Sequence, residues 1–294
     1  MPHRLLNPQT FAAIKDLRLI ARAVVDGFML GQNQSVRRGA GIEFAQYRSY
    51  QPGDDLRQLD WKMFARSDRY YIRESEVDSS VAVRFVVDAS GSMAHKDGDL
   101  TKLDYARYLV AALAYLAIQQ GDAIGLFVVQ EEQLVQLAPQ QSSQHLQRFF
   151  HQLEHVKPNG LFPAADRLAP VFAKKRQREI TVFVSDMYEQ ASEITETLRK
   201  IGAREKDTLL FHLMGKNELE FTYQGQISFQ DLETGQTIQV SSDAQRAEYL
   251  SRLQEWLKGL ETDTRKKLIH YERFHLHEPL DKALRAFLMS RARQ

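Results

Sequence analysis

The chain contains no cysteine. That absence excludes disulfides, thiolate metal sites and cysteine nucleophiles, and leaves nothing that marks an oxidising compartment. Net charge is almost absent too, since 39 Lys and Arg stand against 38 Asp and Glu, a formal +1. No global field therefore recruits nucleic acid or an anionic membrane. Long apolar runs are missing: the longest, Leu109 to Ile118, is about half of what a membrane span requires. The N-terminal stretch does not read as a secretory signal, because Lys15, Asp16, Arg18 and Arg22 interrupt its apolar positions. A Walker-type phosphate loop, G-x-x-x-x-G-K-S/T, does not occur. These absences lead to the expectation of a cytosolic protein with no membrane span and no nucleic-acid partner.

What is present suits one large domain or two modest ones: 294 residues, 43% hydrophobic and 26% charged. Phe11, Ile14, Leu17, Leu19, Ile20, Val24 and Phe28 recur at helical spacing, which predicts an amphipathic helix over 8–30. Residues 42–78 read as a meander of short strands and turns, with Pro52-Gly53 as a turn signal. From Val81 the rhythm changes to apolar strands alternating with helices. Strands are expected at 81–88, 123–130, 132–138, 179–186, 207–215 and 266–271. Helices are expected at 100–120, 142–156, 162–175, 190–202, 242–262 and 278–292, with Pro170 a break or kink, and a hairpin at 227–240 turning around Gly235. Such alternation predicts an α/β fold: a doubly wound, mostly parallel sheet preceded by an N-terminal helix and a small β-rich subdomain. The boundaries expected are 1–36, 37–78 and 79–294, the last carrying a hairpin insertion near 216–241.

Two of these strands end in acids. "RFVVDASGS" ends at Asp88 and continues with Ser90 and Ser92 at alternate positions; "TVFVSDM" ends at Asp186. Ligands of doubly wound sheets bind outside the carboxyl ends of the strands. If both ends meet at one edge, two carboxylates and several hydroxyls converge, and such hard oxygen donors suit Mg²⁺, which takes few carboxylates and keeps waters. The plainer alternative is that these side chains satisfy loop backbone groups and cap the next helix.

The D-x-S-x-S run with a later strand-end Asp resembles the metal-ion-dependent adhesion site of von Willebrand factor A-type domains. "GIEFAQYRSYQPGDDLRQLDWKMFARSDRYYIRESE" followed by "VVDASGSM", together with "QGDAIGLFV", "FHLMGKNELEF" and "FQDLETGQ", extends the likeness over residues 37–294. On these motifs the chain is similar to a bacterial domain-of-unknown-function family, number 58 in its series, in which a von Willebrand A-like core follows an N-terminal segment. That resemblance implies a non-enzymatic protein-interaction module with a metal site of Asp88, Ser90, Ser92 and Asp186. It further implies an adaptor role beside a MoxR-type AAA+ ATPase, in assembling or activating a protein complex. A threonine expected in the second loop of such sites is absent: its position falls on Leu161 or Phe162 in "KPNGLFPAADRL". A Mg-dependent phosphohydrolase and a scaffold with a decayed metal site are the alternatives. The hydrolase lacks the second Asp of a D-x-D pair, because Ser90 stands there and cannot protonate a leaving group.

Two further features carry weaker signals. "HQLEH" (His151 to His155) matches an inverted zinc-protease pattern but ends at Pro158 and reads better as an exposed helix face. Segment 37–78 carries eight Lys/Arg and eight Asp/Glu. That balance argues against a phosphate patch. It leaves two readings for Arg48, Asp54, Asp55, Arg57, Asp60 and Trp61: ion pairs and an anchor knitting the meander to the core, or a partner-docking surface.

Overall fold

A computed structural model of the chain describes residues 8–11, 14, 16–36, 47–49, 70–73, 81–172, 178–203 and 207–291. It divides into two compact units, residues 1–29 with 81–294, and residues 30–80. The larger unit is built on a six-stranded sheet. Its strands are β3 (Ala82–Asp88), β6 (Ala123–Val129), β7 (Leu134–Gln140), β8 (Glu179–Ser185), β9 (Thr208–Met214) and β12 (Ile269–His275), in the order β12-β9-β8-β3-β6-β7. Short pairs β1 (Tyr47–Ser49) with β2 (Tyr71–Arg73), and β4 (Lys96–Asp97) with β5 (Leu100–Thr101), lie outside it, as does the hairpin β10 (Gln226–Gln230) and β11 (Thr237–Ser241). All neighbours in the large sheet are parallel except β6 and β7. The fold is thus α/β with a mostly parallel, doubly wound sheet.

The four central strands read as near-continuous apolar runs because helices cover both faces of the sheet; every residue of β3, β6, β8 and β9 is buried. Helix α3 (Lys102–Gln119) follows β5 directly. It starts at Thr101, whose hydroxyl accepts from Asp104 N while the Asp104 carboxylate accepts from Thr101 N, a capping box. Edge strand β7 tolerates Pro139 because an edge leaves one row of amides unpaired. Opposite it stands Gly125, where a Cβ would meet the Pro139 ring at 2.9 Å.

The N-terminal helix is not continuous over 8–30. A short α1 (Pro8–Phe11) precedes α2 (Leu17–Val36), because Asp16 Oδ1 accepts from Arg18 N and Leu19 N and so starts a new helix. Leu17, Ile20, Val24 and Phe28 join the main core, whereas Leu19 is 55% exposed and Ile14 36%. Over 162–175 a 3₁₀ turn, Ala165–Leu168, leads into α5 (Ala169–Phe172), so Pro170 sits in a first helical turn and kinks nothing. The remaining helices are α4 (Ser143–His155), α6 (Glu193–Gly202), α7 (Lys216–Glu220), α8 (Ser242–Lys266) and α9 (Asp281–Arg291). No helix among the described residues is long and apolar enough to cross a membrane.

In the smaller unit β1 pairs antiparallel with β2, Arg48 opposite Ile72. Asp54, Asp55, Arg57, Asp60 and Trp61 lie outside the described residues.

Candidate metal centre

From β3 the chain proceeds to β6 on one side, while β8 lies on the other. A crevice therefore opens at the carboxyl ends of β3 and β8, where the winding reverses. The register Val87 to Val184 brings Asp88 beside Ser185. Ser185 Oγ donates to Asp88 Oδ2 at 2.6 Å, and Ser90 N donates to Asp88 Oδ1 at 2.9 Å. Ser90 Oγ and Ser92 Oγ are 3.0 Å apart, and Ser92 Oγ donates to Asp186 Oδ1 at 3.1 Å. Asp88, Ser90, Ser92 and Asp186 thus form one buried chain of oxygens running across the two strand ends.

The electrostatics of this chain are uneven. Burial and then the neighbouring Asp186 carboxylate push Asp88 up to about 7. Burial alone would also raise Asp186, but the Lys102 ammonium holds it below the usual carboxylate range. Lys102, the first residue of α3, reaches Asp186 Oδ2 at 2.9 Å and Glu218 Oε1 at 2.7 Å. Burial would lower the lysine, and these two carboxylates more than reverse that, leaving it above its ordinary value. His212 on β9, opposite Ser185, is pressed down to about 3 chiefly by burial. As a neutral ring it donates from Nε2 to the Asp186 carbonyl at 3.1 Å and accepts at Nδ1 from Tyr271 Oη at 2.8 Å. The ring holds the backbone of Asp186 in place, while its carboxylate is met by Ser92, Tyr188 N and Lys102 at the crevice.

The turn between β10 and β11 lies against the first loop. A Cβ on Gly91 would meet the Leu232 carbonyl oxygen at 2.5 Å and Glu233 Cα at 3.2 Å, so only glycine admits this approach. Glu233 faces the same oxygens: burial, then the Asp88 and Asp186 carboxylates, raise it to about 7, and the Ser90 and Ser92 hydroxyls draw it partly back. A cavity of about 600 Å³ opens above Ser92, Lys102 and Asp186, walled by Tyr188, Leu232 and Trp256.

The second loop contributes backbone only. Gly91 N donates to Gly160 O at 2.7 Å and Asn159 N to Ala89 O at 2.9 Å. Phe162 is buried against Phe183, and Leu161 offers no oxygen. Among the described residues no three His, Asp or Glu side chains converge as a ready-made cage. The carboxylates are linked through serine hydroxyls instead, a donor set that fits Mg²⁺, which is commonly held by one or two carboxylates and keeps several waters. His151 and His155 lie on the exposed face of α4, and His155 Nδ1 donates to the His151 carbonyl at 2.7 Å.

Sequence reasoning singled out Asp88, Ser90, Ser92 and Asp186 and missed Lys102, Ser185, His212, Glu218 and Glu233. Ser185 was legible in principle, being the residue before a strand-end acid in an apolar run. Nothing local distinguishes Lys102 from a solvated helix lysine, or Glu233 from any acid in a hairpin turn.

Residues 46–256 match the family described as "Protein of unknown function DUF58". Among curated proteins, the uncharacterized protein Rv1480 of Mycobacterium tuberculosis H37Rv and the uncharacterized protein Mb1516 of Mycobacterium bovis are each 25% identical over 240 residues, covering 81% of this chain and 75% of theirs. Similar solved structures include the conserved hypothetical protein BatB of Bacteroides thetaiotaomicron (TM-score 0.45, 14% identity, 73% of this chain and 100% of that one). The SpRpn10 VWA domain follows at TM-score 0.42 and 12% identity, over 70% of this chain and 95% of that one.

Proposed function

This chain belongs to the DUF58 family, and from its strand-end site we propose a non-enzymatic protein-interaction module whose docking is linked to a divalent cation. The partner class proposed is a MoxR-type AAA+ ATPase, taken from the family resemblance, with the chain acting as adaptor towards a target complex. The observation that carries the reading is Asp88: a fully buried carboxylate beside a second one, with hydroxyl and amide donors but no ammonium or guanidinium hydrogen-bonded to it among the described residues. Lys102 offsets one charge, yet Asp186, Glu218, Asp88 and Glu233 share the neighbourhood. A carboxylate buried without a counter-charge, as Asp88 is, takes up either a proton or a cation.

Asp88, Ser90, Ser92 and Asp186 would hold Mg²⁺, directly or through water. When bound, it supplies an oxygen-seeking face that a partner carboxylate can complete. The chain's own residues do the positioning: Ser185 and Ser90 N fix the Asp88 carboxylate, Lys102 fixes that of Asp186, and His212 holds the Asp186 backbone.

The expected result in native extract is that the tagged full chain captures its partner with Mg²⁺ present and loses it on chelation. Asp88→Ala should fail under both conditions while keeping its melting cooperativity. Equal recovery of the same partner by wild type and Asp88→Ala, with or without chelator, would remove the cation from the mechanism.

A pH dependence follows from Asp88. The cation must displace the proton this carboxyl retains up to about pH 7. Mg²⁺ affinity should therefore rise steeply from pH 6 to pH 8 and flatten above. Calorimetry at pH 7 in buffers of different ionisation enthalpy should show proton release on binding. An affinity that is flat across this range would contradict a role for Asp88 as ligand.

A second reading has one observation in its favour. The Lys102 ammonium, 2.9 Å from Asp186 Oδ2, is itself a buried cation at the site. On this reading the chain is a scaffold whose metal site has decayed and whose charge balance is internal.

A further inference from the structure

The turn joining β10 to β11 presents two acids with different circumstances. Asp231 is fully employed. Its Oδ1 accepts from Glu233 N at 2.8 Å and Thr234 N at 3.1 Å, and its Oδ2 accepts from Tyr188 Oη at 2.8 Å. The turn closes through Gly235 N to Asp231 O at 2.8 Å, with Gly235 in the left-handed region at φ +74°. Asp231 therefore shapes the turn, and Tyr188, two residues after Asp186, ties the turn to the strand-end loop. Glu233 is the opposite case. Its Oε1 is buried and accepts no well-formed hydrogen bond, and only the Ser90 and Ser92 hydroxyls act on the carboxylate as donors. Its Cα lies where the side chain of any larger residue at position 91 would go, between Ser90 and Ser92.

A buried carboxylate oxygen without a donor is costly unless something else meets it. The groups it faces are Ser90, Ser92, Asp88 and Asp186, the proposed cation ligands. That oxygen has no cationic partner among the described residues. The second loop, meanwhile, offers no side-chain oxygen at Leu161 or Phe162.

We propose that Glu233 is an internal carboxylate ligand of the strand-end cation, reached through water because Asp88, Asp186 and Glu233 form no ready-made cage, so that the β10–β11 turn caps the site and must be displaced before a partner's acidic side chain can reach it. This inference rests on the divalent-cation reading of the site. It replaces the open docking face of that reading with a self-closed one: the chain carries its own competitor for the position a partner carboxylate would take. The outer side of the turn faces solvent: Leu232 is 47% exposed and the Asp231–Tyr188 bond is at the surface. Partner binding and release of the turn are then one equilibrium, and the partner's apparent affinity is reduced by the fraction of time the cap is closed.

The test uses the full chain, Mn²⁺ as probe, and two readouts: calorimetric or electron-paramagnetic titration, and hydrogen exchange of the turn. In wild type, Mn²⁺ is expected to slow amide exchange over 231–236 several-fold. Glu233→Gln should lose that protection and bind Mn²⁺ at least about tenfold more weakly, the lower end of what losing a supporting group costs at metal sites. Gly91→Ala changes no oxygen donor but wedges the turn away from the first loop; it should weaken Mn²⁺ binding in the same direction. Exogenous acetate should recover part of the affinity of Glu233→Ala and none in wild type. Mn²⁺ binding by wild type that is unchanged in Glu233→Gln and in Gly91→Ala, with protection confined to 88–92 and 186–188, overturns the inference and leaves the cation site standing. No Mn²⁺ binding by wild type overturns both.

Discussion

Asp88→Asn is expected to melt higher than wild type in metal-free buffer at pH 8, and to lose most of the stabilisation that Mg²⁺ confers on wild type. The first half follows from linkage. Asp88 is 0% exposed and lies beside Asp186; its folded pKa of about 7 is above the unfolded value near 3.9. A carboxyl raised in this way binds its proton more tightly in the native state. Its contribution to stability therefore falls as pH rises from about 4 to about 7, and the full penalty is present above that. At ~1.4 kcal/mol per unit of pKa, the penalty at pH 8 is on the order of 2–4 kcal/mol, equivalent to roughly 4–10 °C. Asparagine keeps the shape: its Oδ1 can accept from Ser90 N, and its Nδ2 can donate to Ser185 Oγ.

The second half has the opposite sign. A cation that binds only the folded state stabilises it by about 2.7 kcal/mol at a hundred times its Kd, and the neutral amide of Asp88→Asn forgoes most of that. The two proteins should thus exchange rank on adding Mg²⁺ at pH 8, and converge in metal-free buffer near pH 4. Comparing the two isolates Asp88 from His212, whose depressed pKa acts in the other direction below pH 6.5. Should Asp88→Asn retain the wild-type Mg²⁺ shift in thermal melting, Asp88 is not a ligand.

Lys102→Met should be the most destabilising single change at this site in metal-free protein. Lys102 is 4% exposed and bridges Asp186 and Glu218 at 2.9 and 2.7 Å. Methionine keeps the length of the stem but leaves Asp186 buried without its counter-charge. Breaking a buried pair from one side costs about 3–5 kcal/mol. The folded pKa of Lys102 is raised, so its stabilisation is fully present below the unfolded value near 10.4 and is lost only as pH rises through the folded one. Without the lysine the buried Asp186 carboxyl is pushed up and takes up a proton at lower pH, so the deficit should be larger at pH 9 than at pH 6 in urea melts.

Magnesium separates the two readings of the site. If a cation shares the work of neutralising Asp186, Mg²⁺ should restore more stability to Lys102→Met than it adds to wild type. If Lys102 is the built-in replacement of a decayed metal site, neither protein should respond.

The alternation of apolar strands with helices is written in side-chain periodicity, which is local, and it was enough to foretell the parallel sheet and the two acids at its edge. Even there the local signal failed at boundaries. The periodicity of Phe11 to Phe28 suggested one helix, while Asp16 captured the amides of Arg18 and Leu19 and started another. Asp88 and Asp186 announced themselves because each ends a run of buried residues. Their partners did not: Lys102 meets Glu218 across 116 positions, and Ser185 meets Asp88 across 97.

Taken alone, the order of residues determined which strands exist and which oxygens stand at their ends, since both depend only on neighbours in the chain. Tertiary structure decided what surrounds those oxygens. The parallel register set Ser185 against Asp88, the entry of α3 swung an ammonium onto Asp186, and the approach permitted by Gly91 laid the Glu233 turn over the loop. Charge balance in a buried site is a sum over everything within a few ångströms, and distance in space is set only when the chain has folded.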